Sequence, residues 1–425
     1  MIKQKRVVIT AYNTITPLGR DIDTTWKNLM AKGSNFTRIR ETGDPKISSY
    51  KGDEYVSYFN MPEDELKRES SPFVKTKSCA LALQCIRQTL ADANITEDYI
   101  GRETERIGTS IGVLSSNLTF LTDNIAKGLT DGFDSINRMT MMNVLNNVIQ
   151  SVICVKHKIK GPMLCPATAC SAGLSAIGEA YNAINLGYAD TMIVGGVEET
   201  GTLLNFYGPK RLGALASGTN KKICCPFDIS RDGIVLGEGT GFLILEEKEN
   251  AEKRGATPIA EILGFGMTGD GYHMVKPLEN GDGGYKAMKM AIDRSGLGLS
   301  SILKEGLILN AHATSTKVGD QAEAVALDRL LSASDNVNGK VKVTAFKGNL
   351  GHCFSAAGVI ETILGLQCFK NRKVPPINNL TQTDIQTKHL DLMTSEAPCT
   401  ERYMLKNSFG FGGVNTSLLL KSLFA

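Results

Sequence analysis

The sequence predicts an α/β fold made of two similar halves, and three observations carry that prediction. Short apolar runs typical of buried strands alternate with amphipathic stretches typical of helices, which favours largely parallel pairing. This alternation restarts near residue 259. Reactive side chains follow strand-like runs in both halves, and strand ends are where α/β folds usually build their sites. We therefore expect an N-terminal half at residues 1–257 and a C-terminal half at residues 258–425.

The first half is predicted to contain strands separated by helices. Apolar runs indicate strands at residues 6–10, 107–113, 163–165 and 191–196. Apolar side chains at helical spacing indicate helices near residues 26–29, 80–86, 135–155 and 174–184. Gly187 supplies a stop for the last of these helices. The intervening residues 38–72 are polar and irregular.

The second half repeats this order. Its predicted strands are residues 262–265, 306–311, 342–346 and 417–420, and its predicted helices are residues 284–295, 320–331 and 356–369. Two adjacent prolines, Pro375 and Pro376, interrupt the pattern after the last helix. Residues 408–413 are rich in glycine and serine, so we expect a turn there that is able to flex.

Composition excludes several classes of protein. A formal net charge of +3 with scattered basic residues does not indicate a nucleic-acid partner, and no apolar run reaches the roughly 18 residues of a membrane span. The ten cysteines lack a CxxC repeat and the five histidines lack ligand spacing, so we expect neither a metal nor a bound cofactor. The N-terminus has no signal-peptide pattern, which predicts a reduced, cytoplasmic protein.

Cys170 is the candidate nucleophile. It lies in the stretch 167–173, directly before the helix predicted over residues 174–184. Free backbone N–H groups and the helix dipole at such a position favour a thiolate over a thiol, and the thiolate is the reactive form. The alternative is a small buried core cysteine, because free cysteine is among the most buried residue types.

Two histidines at strand ends are candidate partners for the thiol. His312 directly follows the strand predicted at residues 306–311, and His352 lies in the loop after the strand at 342–346, close to Lys347. Each histidine alone fits a hydrogen-bonded structural residue better than a catalyst. The two histidines follow strands of the second half, and the thiol of Cys170 lies in the first half. This combination favours nucleophilic catalysis.

The ordered motifs give the chain a clear resemblance to a known family. They are residues 6–10 with 16–19, 168–170, 226–239, 271–274, 312–316, 347–352 and 407–415. Together these segments resemble the elongating β-ketoacyl-(acyl carrier protein) synthases of the thiolase superfamily over nearly the whole chain. The resemblance implies a thiolase-like five-layer α-β-α-β-α fold formed by two βαβαβαββ halves.

The resemblance also implies roles for individual residues. Cys170 would accept the acyl chain, His312 and His352 would bind the malonyl thioester carbonyl and assist decarboxylation, and Lys347 and Glu361 would support the histidines. The backbone N–H groups of Cys170 and Phe411 would form the oxyanion hole, with Phe411 also gating the acyl pocket. The remaining implied residues are Thr314 and Thr316 for the phosphopantetheine arm, Asp320 and Glu323 for a supporting polar network, and Lys67, Arg68, Lys210 and Arg211 for carrier docking.

The function implied is decarboxylative Claisen condensation of an acyl chain on Cys170 with malonyl-(acyl carrier protein), in a discrete system for fatty acid or polyketide synthesis. Substrates would arrive on the 4′-phosphopantetheine of an acyl carrier protein. Three related classes of protein are disfavoured. A degradative thiolase would need a second cysteine near Phe411, and an initiating synthase would have asparagine in place of His352. A non-catalytic chain-length subunit would lack Cys170. The alternative left open is the catalytic subunit of a polyketide or polyene synthase, paired with a chain-length factor.

Some positions depart from the family pattern. Ala313 and Ala11 stand where glycine is usual, Gly348 stands where serine is usual, and the loop 114–120 lacks the usual glycines, which puts the shape of the acyl pocket in question. We also expect a dimer, with either an identical chain or a cysteine-less relative. The strand 191–196 would be an exposed edge in a monomer. The partner would contact residues 114–150, where adaptable apolar side chains occur at Met139, Met141, Met142 and Val144.

Overall fold

The structure is a computed structural model that describes residues 5–44, 53–115, 117–201, 203–218, 223–334 and 340–424. The strands are β1 (Val7–Ile15), β2 (Phe36–Arg38), β3 (Tyr55–Ser57), β4 (Ile107–Gly112), β5 (Met163–Leu164), β6 (Thr191–Glu198), β7 (Leu236–Gly237), β8 (Gly239–Glu247), β9 (Ala260–Gly269), β10 (Leu307–Asn310), β11 (Val341–Thr344), β12 (Lys373–Val374), β13 (Leu390–Leu392), β14 (Ala397–Pro398), β15 (Tyr403–Gly410) and β16 (Val414–Ser422).

The α-helices lie between these strands. They are α1 (Ile22–Lys32), α2 (Glu63–Glu69), α3 (Lys77–Asp92), α4 (Glu97–Arg102), α5 (Leu118–Asp131), α6 (Thr140–Asn143), α7 (Val148–His157), α8 (Ala172–Asn185), α9 (Leu203–Arg211), α10 (Lys248–Lys253), α11 (Asp282–Arg294), α12 (Leu299–Glu305), α13 (Lys317–Ser332), α14 (Lys347–Leu350) and α15 (Phe354–Asn371). None of the described helices is long and apolar enough to cross a membrane.

The two halves have the same strand order. In the first half the order across the sheet is β1-β8-β6-β4-β5, and in the second it is β9-β16-β15-β10-β11, with β13 added at the edge. In the first half, β1 and β6 both pair antiparallel with β8, whereas β4 pairs parallel with β6 and with β5. In the second half, β9 and β15 both pair antiparallel with β16, whereas β10 pairs parallel with β15 and with β11. The two parts of the sheet meet where β1 pairs with β9. The division of the chain at residues 257 and 258 stays a prediction.

The layers follow from what each helix contacts. Helices α8 and α15 pack on each other and on strands of both sheets, so they form the central layer. Helix α3 covers the other face of the first sheet, and α11 covers that of the second, where it also packs on α13. Helix α15 is buried from Phe354 to Phe369 and has no polar face there, as expected for a helix enclosed by two sheets. This five-layer arrangement confirms the predicted fold.

Three details differ from the sequence-based expectation. Strand β1 runs on to Ile15 through a bulge between Ile9 and Ala11. The stretch 135–155 is not one helix, because α6 and α7 are separated at Asn146 and Asn147, residues whose side chains compete with helical hydrogen bonds. The prediction that residues 191–196 form an edge is wrong: β6 lies between β8 and β4, and β5 is the edge.

The sheet topology brings the ends of distant strands together. Strands β5 and β11 occupy equivalent positions in the two halves, and each leads directly into a turn before a central helix. Cys170 lies in the turn after β5, and Lys347 and His352 lie in the turn after β11. Because α8 and α15 pack side by side, the two turns meet at one end of the central layer.

Candidate active site

Cys170 sits in a sharp, buried turn. Residues Ala169–Ser171 form one turn of 3-10 helix, and α8 begins only at Ala172. Ala169 has a φ of 50°, in the left-handed region that L-residues other than glycine rarely adopt. The thiol packs in an apolar cluster with Phe206, Ile234, Leu236 and other side chains.

This environment overturns the expectation that Cys170 is a thiolate at rest. Burial is the largest effect and raises the pKa of the Cys170 thiol to about 12, and nearby Glu198 acts in the same direction. Lys347 and the backbone N–H groups of Phe411 and Cys170 favour the anion but do not offset the loss of hydration. The resting nucleophile is therefore a neutral thiol.

The glycine-rich turn of the second half closes over the thiol. Strands β15 and β16 form a hairpin, so residues 408–410 continue β15 and only 411–413 make the turn. A side chain on Gly410 would approach the carbonyl oxygen of Thr168 to 2.7 Å and the nitrogen of Cys170 to 3.3 Å. A residue with no side chain is required there, and it brings the N–H of Phe411 to the thiol.

His312 is oriented by a buried lysine. The ammonium of Lys347 lies 3.3 Å from Nδ1 of His312 and donates to the His312 carbonyl oxygen at 2.5 Å and to Glu361 Oε1 at 2.6 Å. An ammonium group only donates hydrogen bonds, so Nδ1 accepts and the ring proton resides on Nε2. His312 thus keeps one N–H to direct at a substrate.

His352 lies beside His312 and is held by packing. The two imidazole centroids are 5.4 Å apart at an interplanar angle of 79°, and Phe354 lies against His352 with centroids 4.7 Å apart. Nδ1 of His352 is buried and has no hydrogen-bond partner among the described residues. Burial, followed by the charge of Lys347, holds the pKa of both histidines well below its usual range, so both are neutral at pH 7.

Glu361 joins Lys347 to a second buried lysine. Its other oxygen, Oε2, accepts a hydrogen bond from Lys406 at 2.5 Å, and Lys406 also reaches the carbonyl oxygen of Ala311 at 3.3 Å. Burial lowers the pKa of Lys406 to about 8, and Glu361 opposes that shift. One carboxylate therefore compensates two ammonium groups behind the histidines.

Of the two predicted supporting acids, only Glu323 bears directly on a histidine. Glu323 accepts the backbone N–H groups of His312 and Ala313 at 2.8 and 2.7 Å. Asp320 instead accepts the N–H groups of Phe227 and Ser315, which ties two loops together, and burial raises its pKa to about 7.

The threonines predicted to bind the phosphopantetheine arm lie side by side. The hydroxyl groups of Thr314 and Thr316 are 3.0 Å apart. Thr316 also caps α13 by accepting the N–H of Gly319 at 3.2 Å, so it has a structural role as well. Both threonines line the same cavity as Cys170.

One cavity of about 430 Å³ brings most of the predicted site together. Its wall contains Cys170, His312, Thr314, Thr316, Glu323, His352 and Phe411. Lys347 and Glu361 lie behind the two histidines rather than on the wall. Phe411 lines the cavity and is 39% exposed, and its role as a gate stays a prediction.

The predicted carrier-docking residues occupy two different regions. Arg211 immediately precedes Leu212, an exposed side chain on the cavity wall, and Lys210 is paired with Glu54 at 2.6 Å. Lys67 and Arg68 are on α2, whose residues line a different cavity, and they are paired with Glu63 and Glu69. Only the pair on α9 therefore lies next to the opening.

Several residues that shape the site were not anticipated. Lys406 and Glu198 are the charged residues of strands that are otherwise uncharged, which is a detectable signal of a buried role. Glu198 accepts the backbone N–H and hydroxyl of Ser355 at 3.2 and 2.8 Å, and burial raises its pKa to about 8. Phe354 and Phe409, which pack on the histidines, had no such signal.

The structure accounts for two of the departures noted in the sequence. Ala313 has a φ of 38°, the left-handed region in which glycine is unstrained. A side chain on Gly348 would approach the carbonyl oxygen of Asn378 to 2.5 Å, so serine would not fit there without movement. Ser116, in the loop 114–120, lies outside the described residues.

The described side chains contain no group of three or more histidine, cysteine or acidic residues that could hold a metal ion. The chemistry that this arrangement supports is therefore that of a neutral thiol, two neutral imidazoles and converging backbone N–H groups. Such a set suits attack on a thioester and stabilisation of an enolate oxygen.

Comparison with known sequences places these residues in context. The family described as "Beta-ketoacyl synthase, N-terminal domain" matches residues 4–251, and "Beta-ketoacyl synthase, C-terminal domain" matches residues 259–381. A putative mitochondrial 3-oxoacyl-(acyl-carrier-protein) synthase of Schizosaccharomyces pombe is 34% identical over 98% of this chain and 99% of its own. The 3-oxoacyl-(acyl-carrier-protein) synthase 2 of Staphylococcus aureus is 33% identical over the full length of both.

Solved structures agree with the sequence comparison. A β-ketoacyl synthase from Burkholderia phymatum superposes with a TM-score of 0.87 at 28% identity, covering 99% of this chain and 100% of that one. The ishigamide ketosynthase/chain length factor superposes with a TM-score of 0.85 at 25% identity, with the same coverage.

Proposed function

The chain belongs to the β-ketoacyl synthase family, and from this premise we propose that it condenses an acyl chain held on Cys170 with malonyl-(acyl carrier protein). It is an acyltransferase of the ketosynthase type. The observation that carries the assignment of residues is the single cavity shared by Cys170, His312 and His352. The reaction has two steps, acylation of Cys170 and condensation, and they use different residues of these three.

In the first step of the reaction, Cys170 takes the acyl chain from the pantetheine thioester. Its sulfur forms a new bond to the acyl carbon, the bond to the pantetheine sulfur breaks, and the thiol proton leaves with the pantetheine. The N–H groups of Cys170 and Phe411 stabilise the tetrahedral oxyanion, an effect of roughly 3 to 4 kcal/mol per donor in comparable sites. Because the free thiol is neutral, activation accompanies thioester binding.

In the second step of the reaction, the malonyl group loses carbon dioxide and the resulting enolate attacks the acyl-Cys170 thioester. The Nε2–H of His312, which Lys347 leaves free, donates to the enolate oxygen, and neutral His352 acts beside it. The new carbon–carbon bond releases the Cys170 sulfur, which recovers a proton. Phe411 at the opening excludes water from the intermediate.

The acyl donor and the malonyl group are carried on an acyl carrier protein, which the names of the relatives also specify for those proteins. We propose that Lys210 and Arg211 contact this acidic partner, because they precede the cavity wall at Leu212. Lys67 and Arg68, on α2, would form a second contact region, because they lie on a different part of the surface. Whether the compartment is the cytoplasm stays a prediction, since some relatives are named as mitochondrial.

Charge reversal tests the docking surface. Arg211→Glu should slow association with the carrier and leave turnover of free pantetheine thioesters unchanged. The difference should fade at 1 M salt, where the Debye length falls to about 3 Å. An equal loss with the free pantetheine substrate would contradict docking.

Purified protein, acyl-pantetheine and malonyl-pantetheine test the reaction itself. We expect a stable acyl adduct on Cys170, release of carbon dioxide from the malonyl thioester, and a β-ketoacyl product two carbons longer. Cys170→Ala should abolish both the adduct and the product. A stable acyl adduct on another cysteine would refute the assignment of the nucleophile.

A further inference from the structure

A buried lysine on β15, Lys406, contacts the backbone that carries His312. Its side chain is 0% exposed, and it does not line the cavity around Cys170. Its ammonium donates to Glu361 Oε2 at 2.5 Å and to the carbonyl oxygen of Ala311 at 3.3 Å. Ala311 directly precedes His312, so any effect of Lys406 on a substrate passes through other residues or through its charge.

Neighbouring residues on β15 hold the His312 segment from two sides. Successive side chains of a strand point to opposite faces of its sheet. Lys406 meets Glu361 on α15 from one face. Asn407, on the other face, donates to Glu323 on α13 at 3.2 Å, and Glu323 accepts the N–H of His312 at 2.8 Å. The position of His312 therefore depends on both faces of this strand.

Hydrogen bonding alone does not explain a lysine at this position. A neutral amide side chain also donates hydrogen bonds, so the Ala311 carbonyl oxygen does not require an ammonium group. Lys347 already supplies Glu361 with one cation at 2.6 Å. A second buried ammonium is costly when one carboxylate serves both. This cost indicates that the charge of Lys406 itself has a role.

The charge of Lys406 reaches both imidazoles. Burial is the main cause that holds the pKa of His352 well below its usual range, Lys347 is the next, and Lys406 acts in the same direction. Burial and then Lys347 also hold the pKa of His312 low, again with Lys406 acting in that direction. A field that disfavours a positive imidazole favours a negative enolate oxygen beside that imidazole.

We propose that Lys406 is a positioning residue for the decarboxylation step and that this step requires its positive charge for the full rate. Lys406 holds the chain at Ala311, shares Glu361 with Lys347, and places a positive field where the enolate forms. The inference rests on the proposed function, because the enolate comes from the malonyl thioester. The titratable groups that face Lys406 are Glu361 on α15, Lys347 on α14, Glu323 on α13, and the imidazoles of His312 and His352.

A pH profile of the unaltered protein reports this charge. Burial lowers the pKa of Lys406 to about 8, and Glu361 opposes that shift, so the ammonium is charged below pH 8 and largely neutral above it. The kcat for release of carbon dioxide from malonyl-pantetheine should fall about tenfold between pH 7 and pH 9.5, less than the loss of a histidine would cost. KM should stay unchanged, because Lys406 does not line the cavity. A kcat that is flat or rises over this range would overturn the proposal.

Lys406→Met separates Lys406 from other groups that titrate in this range. Burial raises the pKa of Asp320 to about 7 and that of Glu198 to about 8, so each can produce a slope of its own. Lys406→Met should lower kcat about tenfold at pH 7 and remove the fall above pH 8. A fall that persists in this variant would belong to another group and would overturn the proposal.

Lys342→Met is the matched control. Lys342 is on β11, which like β15 pairs with β10, and it is paired with Glu401 at 2.7 Å rather than with Glu361. This variant should keep both the rate and the pH profile of the unaltered protein. The same loss in Lys342→Met as in Lys406→Met would contradict a specific role of Lys406.

The outcomes separate this inference from the proposed function. If carbon dioxide is released with a flat pH profile, only the role of Lys406 fails. If malonyl-pantetheine keeps its carboxylate at every pH and Cys170 is not acylated, the proposed function fails as well. If Lys406→Met does not fold, Lys406→Arg replaces it. The guanidinium stays charged, so its rate should not fall above pH 8, and a fall there would overturn the proposal.

Discussion

The carboxylate of Glu361 and the ammonium of Lys406 form an ion pair 2.5 Å long whose side chains are 3% and 0% exposed. The same carboxylate holds Lys347, which contacts His312. Glu361 is therefore the one anion between two buried cations, and the orientation of His312 depends on it. Burying such charges is costly unless every member is paired, so the cluster behaves as one unit.

Glu361→Gln should damage both stability and decarboxylation. The variant leaves two ammonium groups buried without their carboxylate, a situation that costs about 3–5 kcal/mol in comparable sites. Chemical denaturation and release of carbon dioxide from malonyl-pantetheine measure the two effects. In Glu361→Gln/Lys406→Met, one of the two unpaired cations is gone, and stability should partly return. Full stability in the single variant would contradict the role of Glu361.

Removing either histidine should separate the two half-reactions. His312→Ala and His352→Ala should lose decarboxylation by a factor of roughly 100 to 10,000, the usual contribution of a positioned acid–base group. Acylation of Cys170 should persist, because the thiol and its backbone donors are intact. Loss of acylation with decarboxylation preserved would reverse this assignment.

Alkylation of Cys170 should report a high pKa. Burial raises the pKa of this thiol to about 12, so only a small fraction is thiolate at pH 7 and that fraction grows tenfold with each pH unit. The rate of modification by iodoacetamide, followed at Cys170 by peptide mass spectrometry, should rise log-linearly from pH 7 to pH 10. A plateau below pH 8.5 would mean that the thiolate is favoured at rest.

Gly348→Ser should destabilise the protein although serine is usual at this position in the family. The new side chain would meet the carbonyl oxygen of Asn378 at 2.5 Å, and overpacking of this kind costs roughly 1–3 kcal/mol. Gly298→Ser is the matched control, since a side chain there meets nothing within 4 Å. Thermal unfolding of both variants tests the difference, and equal melting temperatures would contradict it.

The protein should form a dimer through an exposed apolar surface on and after α5. Leu129, Phe133 and Met141 there are 72%, 74% and 70% exposed, more than a monomer normally leaves to solvent in one region. Leu129→Glu/Met141→Glu should yield a monomer in light scattering, while Ile229→Glu, at an exposed position elsewhere, should not. A stable, fully active monomer of the unaltered chain would refute the dimer.

The same experiment addresses the choice of partner. An active homodimer would remove the need for a second subunit, whereas a cysteine-less relative that co-purifies at native expression would favour the polyketide or polyene alternative. The edge available for such pairing is β5 rather than β6, because β6 is enclosed by its neighbours. We expect the partner to border a cavity of about 620 Å³, since Leu118 and Thr119 at the start of α5 line it.

The sequence alone determined the fold class, the repeat of the two halves and the set of candidate reactive side chains. Apolar periodicity is a local property, so strands such as β10 and helices such as α15 were located within a few residues. Cys170, His312 and His352 were found because each belongs to a short motif next to a strand end.

Only the tertiary structure decided the burial, the protonation state and the neighbours of those residues. The thiol of Cys170 is neutral because side chains distant in sequence exclude water from it, and that loss of hydration outweighs the local N–H groups. Lys406 joins the site because β15 pairs with β10, which lies about a hundred residues earlier in the chain. The only local signal of this contact is one charged residue in an otherwise uncharged strand. Edge strands and cavity walls likewise depend on which segments become neighbours, so only the fold shows that β5 is the edge and which residues line the cavity around Cys170.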